Sequence, residues 1–133
     1  MTCIFCEILN GQSPAAFIEQ QDRVSAFIAL DRHPLIVLNS HAECLKDLDH
    51  GTAADLMHLI CDVAQALKET TRCQGVNFIL SDGAAAGQDV FHVHMHVMPR
   101  WLNDDVTLAW NTSMTPISSR ESLARKLAQV LAP

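Results

Sequence analysis

In the stretch "QDVFHVHMHVMPRW" (residues 88–101), histidine alternates with apolar side chains: His92, His94 and His96 stand two apart, with Phe91, Val93, Met95 and Val97 interleaved. A strand turns successive side chains to opposite faces, so the pattern predicts a strand over residues 90–98 with three imidazoles on one face. A helix would scatter them. Earlier alternation predicts strands in "AFIEQ" (16–20) and "RVSAFIAL" (23–30), joined around Gln21 and Asp22. "LIVL" (35–38), after the turn-like "DRHP", and "GVNFIL" (75–80) read as two more. "SDGAAAGQD" (81–89) is a glycine-bearing loop leading into the histidine strand.

A three- and four-residue spacing of Leu56, Leu59, Ile60, Val63, Ala64 and Leu67 predicts a helix from Thr52 to Thr71, with Thr52 and Asp55 placed as a capping box. A final helix is expected from about Ser119 to Leu131, capped by Ser118 and Glu121 and striped by Leu123, Leu127, Val130 and Leu131. A short N-terminal element ends at Leu9, before the turn formers "NGQSP" (10–14). The chain has no internal repeat and no linker-like tract. The expected architecture is α+β, one domain over residues 1–133: an antiparallel sheet packed with one long helix and a C-terminal helix.

Charge narrows the function classes. A net charge of −6 and a pI near 5.5 provide no basic stripe, which argues against nucleic acid and against an anionic membrane surface as partners. No apolar run approaches a membrane span, and "MTCIFCEILNG" lacks the pattern of a signal peptide, so the expected location is cytoplasmic. Five scattered cysteines do not suggest a disulfide framework; reduced thiols and one metal clip fit better.

Three imidazoles in strict alternation admit two chemistries. They can bind a catalytic metal with an open position for water, as in a zinc hydrolase using His92, His94 and His96. Alternatively, one imidazole is a nucleophile and its neighbour positions or protonates the reacting group. The preceding loop decides between them: Gly87 and the N–H groups around it form a nest suited to phosphate oxygens, which sets phosphate beside imidazole. His50 and His58 are assigned no role. Cys3 and Cys6 are spaced as half a metal site, and no thioredoxin-like strand precedes them to suggest redox chemistry.

"HVHMHVM" (92–98) satisfies the signature H-φ-H-φ-H-φ-φ, with φ apolar, of the histidine-triad (HIT) nucleotide-binding proteins, and the chain resembles that family over most of its length. "CIFCEILNGQSPA" is similar to the N-terminal element of its bacterial zinc-carrying branch, "VSAFIALDRHP" to the strand that holds the ribose, and "NSHAECLKDL" to its P-[K/R]-x-H segment. The resemblance implies a nucleotidyl hydrolase or transferase acting on a nucleoside phosphate ester, anhydride or phosphoramidate. His94 would be the nucleophile that becomes nucleotidylated, and His96 would stabilise charge on the phosphate. Gly87, Gln88 and the following N–H groups would cradle the phosphate, and Asp31 would accept from the ribose hydroxyls. A structural zinc ion would be held by Cys3, Cys6, His41 and His92. The partners implied are a purine nucleotide or nucleotide conjugate and a second copy of the chain in a homodimer. A nucleotide-binding or regulatory protein with little turnover is the second reading.

Three departures from the family pattern qualify this. Asp89 replaces the usual Ser or Thr after Gly-Gln, placing a carboxylate where a phosphate should bind. Ser81 stands where relatives carry an amide. After Asp31, a loop that in relatives ends in Gly-His is about six residues short, by comparison with the family pattern. Under a different alignment His33 would be that histidine, but "LDRHP" matches the upstream pattern better as it stands.

Overall fold

The computed structural model describes residues 2–133 and has the α+β architecture expected from the pattern. Strands β1 (Ala16–Gln20), β2 (Val24–Ile28), β3 (Pro34–Leu38), β4 (Gly75–Ile79) and β5 (His94–Arg100) form one antiparallel sheet in the order β1-β2-β3-β5-β4. Helices α1 (Ile4–Leu9), α2 (His50–Thr71) and α3 (Ile117–Leu131) complete the chain. The sheet centre, where β3 meets β5, pairs Leu35 with His96 and Val37 with His94.

The two faces are used differently. Val24, Ala26, Ile36, Leu38, Val93 and Val97 pack against Leu56, Leu59, Ile60, Val63 and Ala64 of α2, so the long helix covers one face of β2, β3 and β5 and leaves β1 exposed. On the other face, Phe27, Leu35 and Val37 pack against Phe5 and Ile8 of the six-residue α1. A helix that short leaves most of its face uncovered. His94 and His96, register partners of Val37 and Leu35, lie on this second face, half-roofed rather than sealed.

Several boundaries differ from expectation, each for a local reason. Helix α2 starts two residues early because Asp49, not Thr52, is the cap: its carboxylate accepts from the Thr52 N–H at 2.7 Å and the Thr52 hydroxyl at 3.0 Å. Asp55 instead accepts from Arg23 Nε at 2.7 Å. The histidine strand begins at His94, not at residue 90. The His92 N–H turns back to the Val90 carbonyl at 2.9 Å, and Val93 donates to Ala42 at 2.8 Å, so the chain bends before joining the sheet. Phe91 is therefore 45% exposed rather than part of the apolar face.

Helix α3 begins at Ile117, after Pro116, and Ser118 makes no capping bond. Proline sets a backbone angle compatible with a helix start and has no N–H to satisfy. None of the α3 residues is buried: Leu123, Leu127, Val130 and Leu131 are 56–84% exposed, so this stripe covers nothing in its own chain. No described helix is long and apolar enough to cross a membrane.

Candidate active site and metal centre

His94 is 4% exposed, with the ring of Phe5 packed edge-on to it at 4.9 Å between centroids. Its Nδ1–H donates to the backbone carbonyl of His92, two residues back, at 2.7 Å. That bond assigns the proton to Nδ1 and leaves the lone pair on Nε2. The His96 ring lies 5.1 Å from that of His94, centroid to centroid, so two imidazoles stand side by side on the less covered face of the sheet.

His96 has a partner that the sequence reading missed. Its Nδ1 lies 2.7 Å from Nε2 of His33, a buried residue immediately before β3, and Nδ1 of His33 lies 3.0 Å from Oδ1 of Asp31. The structure thus brings His33, which the sequence reading set aside, against the last histidine of the triad. The signal was present in the sequence: a histidine directly abutting the apolar run "PLIVL", whose side chains alternate across the sheet.

The loop between β4 and β5 is narrower as an anion nest than expected. The Gly87 N–H donates to Ala84 at 3.0 Å and the Gln88 N–H to Gly83 at 3.2 Å, so both are used inside the loop. Gly87 holds a left-handed conformation, φ 91°, which glycine adopts without steric cost. The Gln88 side chain is buried and pins the loop: it donates to the carbonyls of Glu43 and Val90 and accepts from the Gly83 N–H at 2.7 Å. Its amide braces the loop and is engaged within the chain. Asp89 Oδ1 accepts from the Val90 N–H at 2.9 Å and lies 4.0 Å from Nε2 of His94. An oxygen of the chain's own carboxylate thus stands beside the unprotonated imidazole nitrogen. Ser81, half-buried, follows β4 two residues beyond Ile79, the register partner of His96.

Cys3, Cys6, His41 and His92 converge, with one ligand atom from each lying within 4.8 Å of all the others. Sγ of Cys3 is 3.4 Å from Nδ1 of His92, and Sγ of Cys6 is 3.4 Å from Nδ1 of His41 and 3.6 Å from Nδ1 of His92. A tetrahedral ion with metal–sulfur bonds of about 2.3 Å and metal–nitrogen bonds of about 2.0 Å sets its sulfur and nitrogen ligands about 3.5 Å apart. The donor set fits. Nε2–H of His92 donates to the Leu38 carbonyl at 2.7 Å, turning the unprotonated Nδ1 toward the thiols, as a ligating histidine requires. Burial and the adjacent Cys3 push the Cys6 thiol up, a penalty that a bound cation would reverse. His92 therefore faces the cysteines while His94 and His96 face the loop. The three imidazoles do not converge on one ion, which removes the geometric basis for an open catalytic metal site.

A neighbouring pair of imidazoles beside a braced glycine loop, on a five-stranded antiparallel sheet with a Cys2His2 cluster next to them, defines a class of α+β histidine proteins. The comparisons place the chain within that class: residues 10–102 match the HIT domain, and the chain belongs to the HIT family. It is 31% identical over 139 residues to protein hit of Bacillus subtilis, covering 95% of this chain and 94% of that one. A crystal structure of a HIT family member from Bacillus subtilis superposes with a TM-score of 0.92 at 28% identity, covering 100% of this chain and 99% of that one. A zinc-bound histidine triad family protein from Mycobacterium smegmatis superposes with a TM-score of 0.75 at 30% identity, covering 98% of this chain and 96% of that one.

Burial, followed by the charges of His94 and His33, holds His96 below the ordinary histidine range; burial also lowers His92. The unfolded chain regains ordinary values near about 6.5. As pH falls through that value, the unfolded chain binds protons that the folded chain does not, so stability is lost on acidification, by at most about 1.4 kcal/mol per pH unit for each group. Chemical denaturation at about pH 7.5 and about pH 5.5 should show a lower midpoint in acid, with part of the difference absent in His96→Asn. An identical midpoint at both pH values would contradict this.

Proposed function

We propose that the chain is a nucleotidyl hydrolase or transferase working through a covalent nucleotidyl-imidazole at His94. The observation that carries this reading is the 2.7 Å bond from Nδ1–H of His94 to the His92 carbonyl, which leaves the Nε2 lone pair directed to the Asp89 side of the site. In the first step Nε2 attacks the phosphorus of a nucleoside phosphoramidate, ester or anhydride, and the bond to the leaving group breaks in line. His96 delivers a proton to the departing atom. In the second step water attacks the same phosphorus, His94 departs, and the nucleoside monophosphate is released. Ser81 and the loop around Gly87 would line the phosphate position. A purine nucleotide or conjugate is the substrate class.

Zinc is the ion proposed for Cys3, Cys6, His41 and His92. Four protein ligands complete a tetrahedron, so the ion would be structural, fastening the N-terminal segment around α1 to the segment just before β5. The exposed stripe on α3 supports a homodimer in which a second copy covers it.

One observation favours the second reading, a binding protein with little turnover: the Asp89 carboxylate stands 4.0 Å from the nucleophilic nitrogen. At that range a like charge opposes an incoming phosphate, by about a kcal/mol in a solvated site.

His94→Ala should lower turnover of an adenosine phosphoramidate by about a thousandfold or more while leaving monophosphate affinity within about threefold. Retained turnover would reject His94 as nucleophile. Asp89→Ser should tighten monophosphate binding and raise turnover several-fold, to the extent of about a kcal/mol. A clear fall in turnover with binding unchanged would instead make Asp89 the acid for the leaving group. Elemental analysis should find about one zinc per chain, and its chelation should lower the melting temperature. Metal-free protein of unchanged melting temperature would remove the zinc site.

A further inference from the structure

Asp31, His33 and His96 form a continuous chain of contacts: 3.0 Å from the carboxylate Oδ1 to Nδ1 of His33, and 2.7 Å from Nε2 of His33 to Nδ1 of His96. The turn that builds it is tight. Ala29 donates to the His33 carbonyl and Arg32 to the Ala29 carbonyl, each at 2.9 Å, closing β2 onto β3 within five residues. Arg32, between the two partners, sits at φ 76°, a left-handed conformation that costs a side-chain-bearing residue about 1 kcal/mol. A strained residue is held at the one position that brings Asp31 and His33 together.

We infer that Asp31 is a positioning residue for the reaction, acting through His33 to fix the proton arrangement of His96. The carboxylate can only accept, and at 3.0 Å from Nδ1 of His33 it favours the tautomer that carries the proton there, which leaves the lone pair of His33 on Nε2. That lone pair accepts from Nδ1–H of His96, which assigns Nε2 of His96 to the reacting group beside His94. When His96 is protonated, its Nε2–H passes to the departing atom and the ring becomes neutral, its Nδ1–H retained. In the hydrolytic step a proton from the attacking water returns to Nε2. Throughout, the Asp31 carboxylate offsets the charge on the histidine pair from the solvent side, where it orients His33 more than it stabilises charge. One carboxylate oxygen is thereby engaged within the chain, on a side chain that is 69% exposed. This assignment differs from ribose recognition, the role that the family pattern gives to this position.

The inference rests on the proposed reaction, and its test separates the two. Asp31→Asn retains the shape and an oxygen acceptor but removes the charge. Assayed with an adenosine phosphoramidate and with its counterpart lacking both ribose hydroxyls, it should lower kcat about tenfold with both substrates, with KM within about threefold. In a His33→Ala background it should have no further effect. A rise in KM that disappears with the hydroxyl-free substrate would make Asp31 a ribose ligand and overturn the inference, as would additivity with His33→Ala. Nitrogen-15 spectra of the imidazoles give a readout independent of turnover: His33 should be the Nδ1–H tautomer in the unaltered chain and lose that preference in Asp31→Ala. A His33 carrying its proton on Nε2 in the unaltered chain would overturn the inference. If the unaltered chain turns over neither substrate, the proposed reaction fails and the spectra alone decide the role of Asp31.

Discussion

The side chain and backbone of His92 connect the structural and chemical halves of this molecule. Its fully buried ring donates from Nε2 to the Leu38 carbonyl and turns Nδ1 to Cys3 and Cys6, while its own carbonyl accepts from Nδ1 of His94. A buried imidazole without partners is costly, so the three contacts depend on one another. The cysteine cluster holds the ring, the ring holds the chain against the end of β3, and the chain orients the neighbouring imidazole. The Cys2His2 cluster and the imidazole pair are thus joined by a single residue.

The second imidazole is organised from the opposite side of the pocket. His94 is oriented by backbone, and His96 by the side chains of the turn between β2 and β3. Backbone support is rigid because it moves only with the sheet; side-chain support is chargeable. That division suits the two roles, since an attacking nitrogen needs a constant direction and a proton carrier needs a charge nearby that varies little as it loads and unloads. The braced loop, with Gln88 bonded at both ends of its amide, adds a third fixed wall. Asp89 is the exposed exception, 83% accessible at its side chain.

Local pattern showed most of the sheet and the long helix, because alternation and three- and four-residue spacing follow directly from strand and helix geometry. The four cluster residues were reached through the family resemblance, since nothing in the spacing of Cys3 and Cys6 says which histidines approach them. His33 was missed because its role arises from strand pairing: only the register of Leu35 with His96 brings the residues before β3 alongside the end of the triad. The helix caps show the same limit on a smaller scale, with Asp49 and Thr52 both plausible and only their hydrogen bonds choosing between them. The loop nest was overestimated for a related reason, as its N–H groups were visible in sequence but their internal acceptors were not.

The central claim is that Nε2 of His94 becomes bonded to phosphorus during turnover. Mixing the protein with an adenosine phosphoramidate, stopping the reaction within one turnover, and measuring the intact mass under conditions that preserve phosphorus–nitrogen bonds tests it directly. The account expects a transient population heavier by one adenylyl group, with fragmentation placing the group on His94. Product formed without any such species, or an adenylyl group carried on another residue, would contradict it.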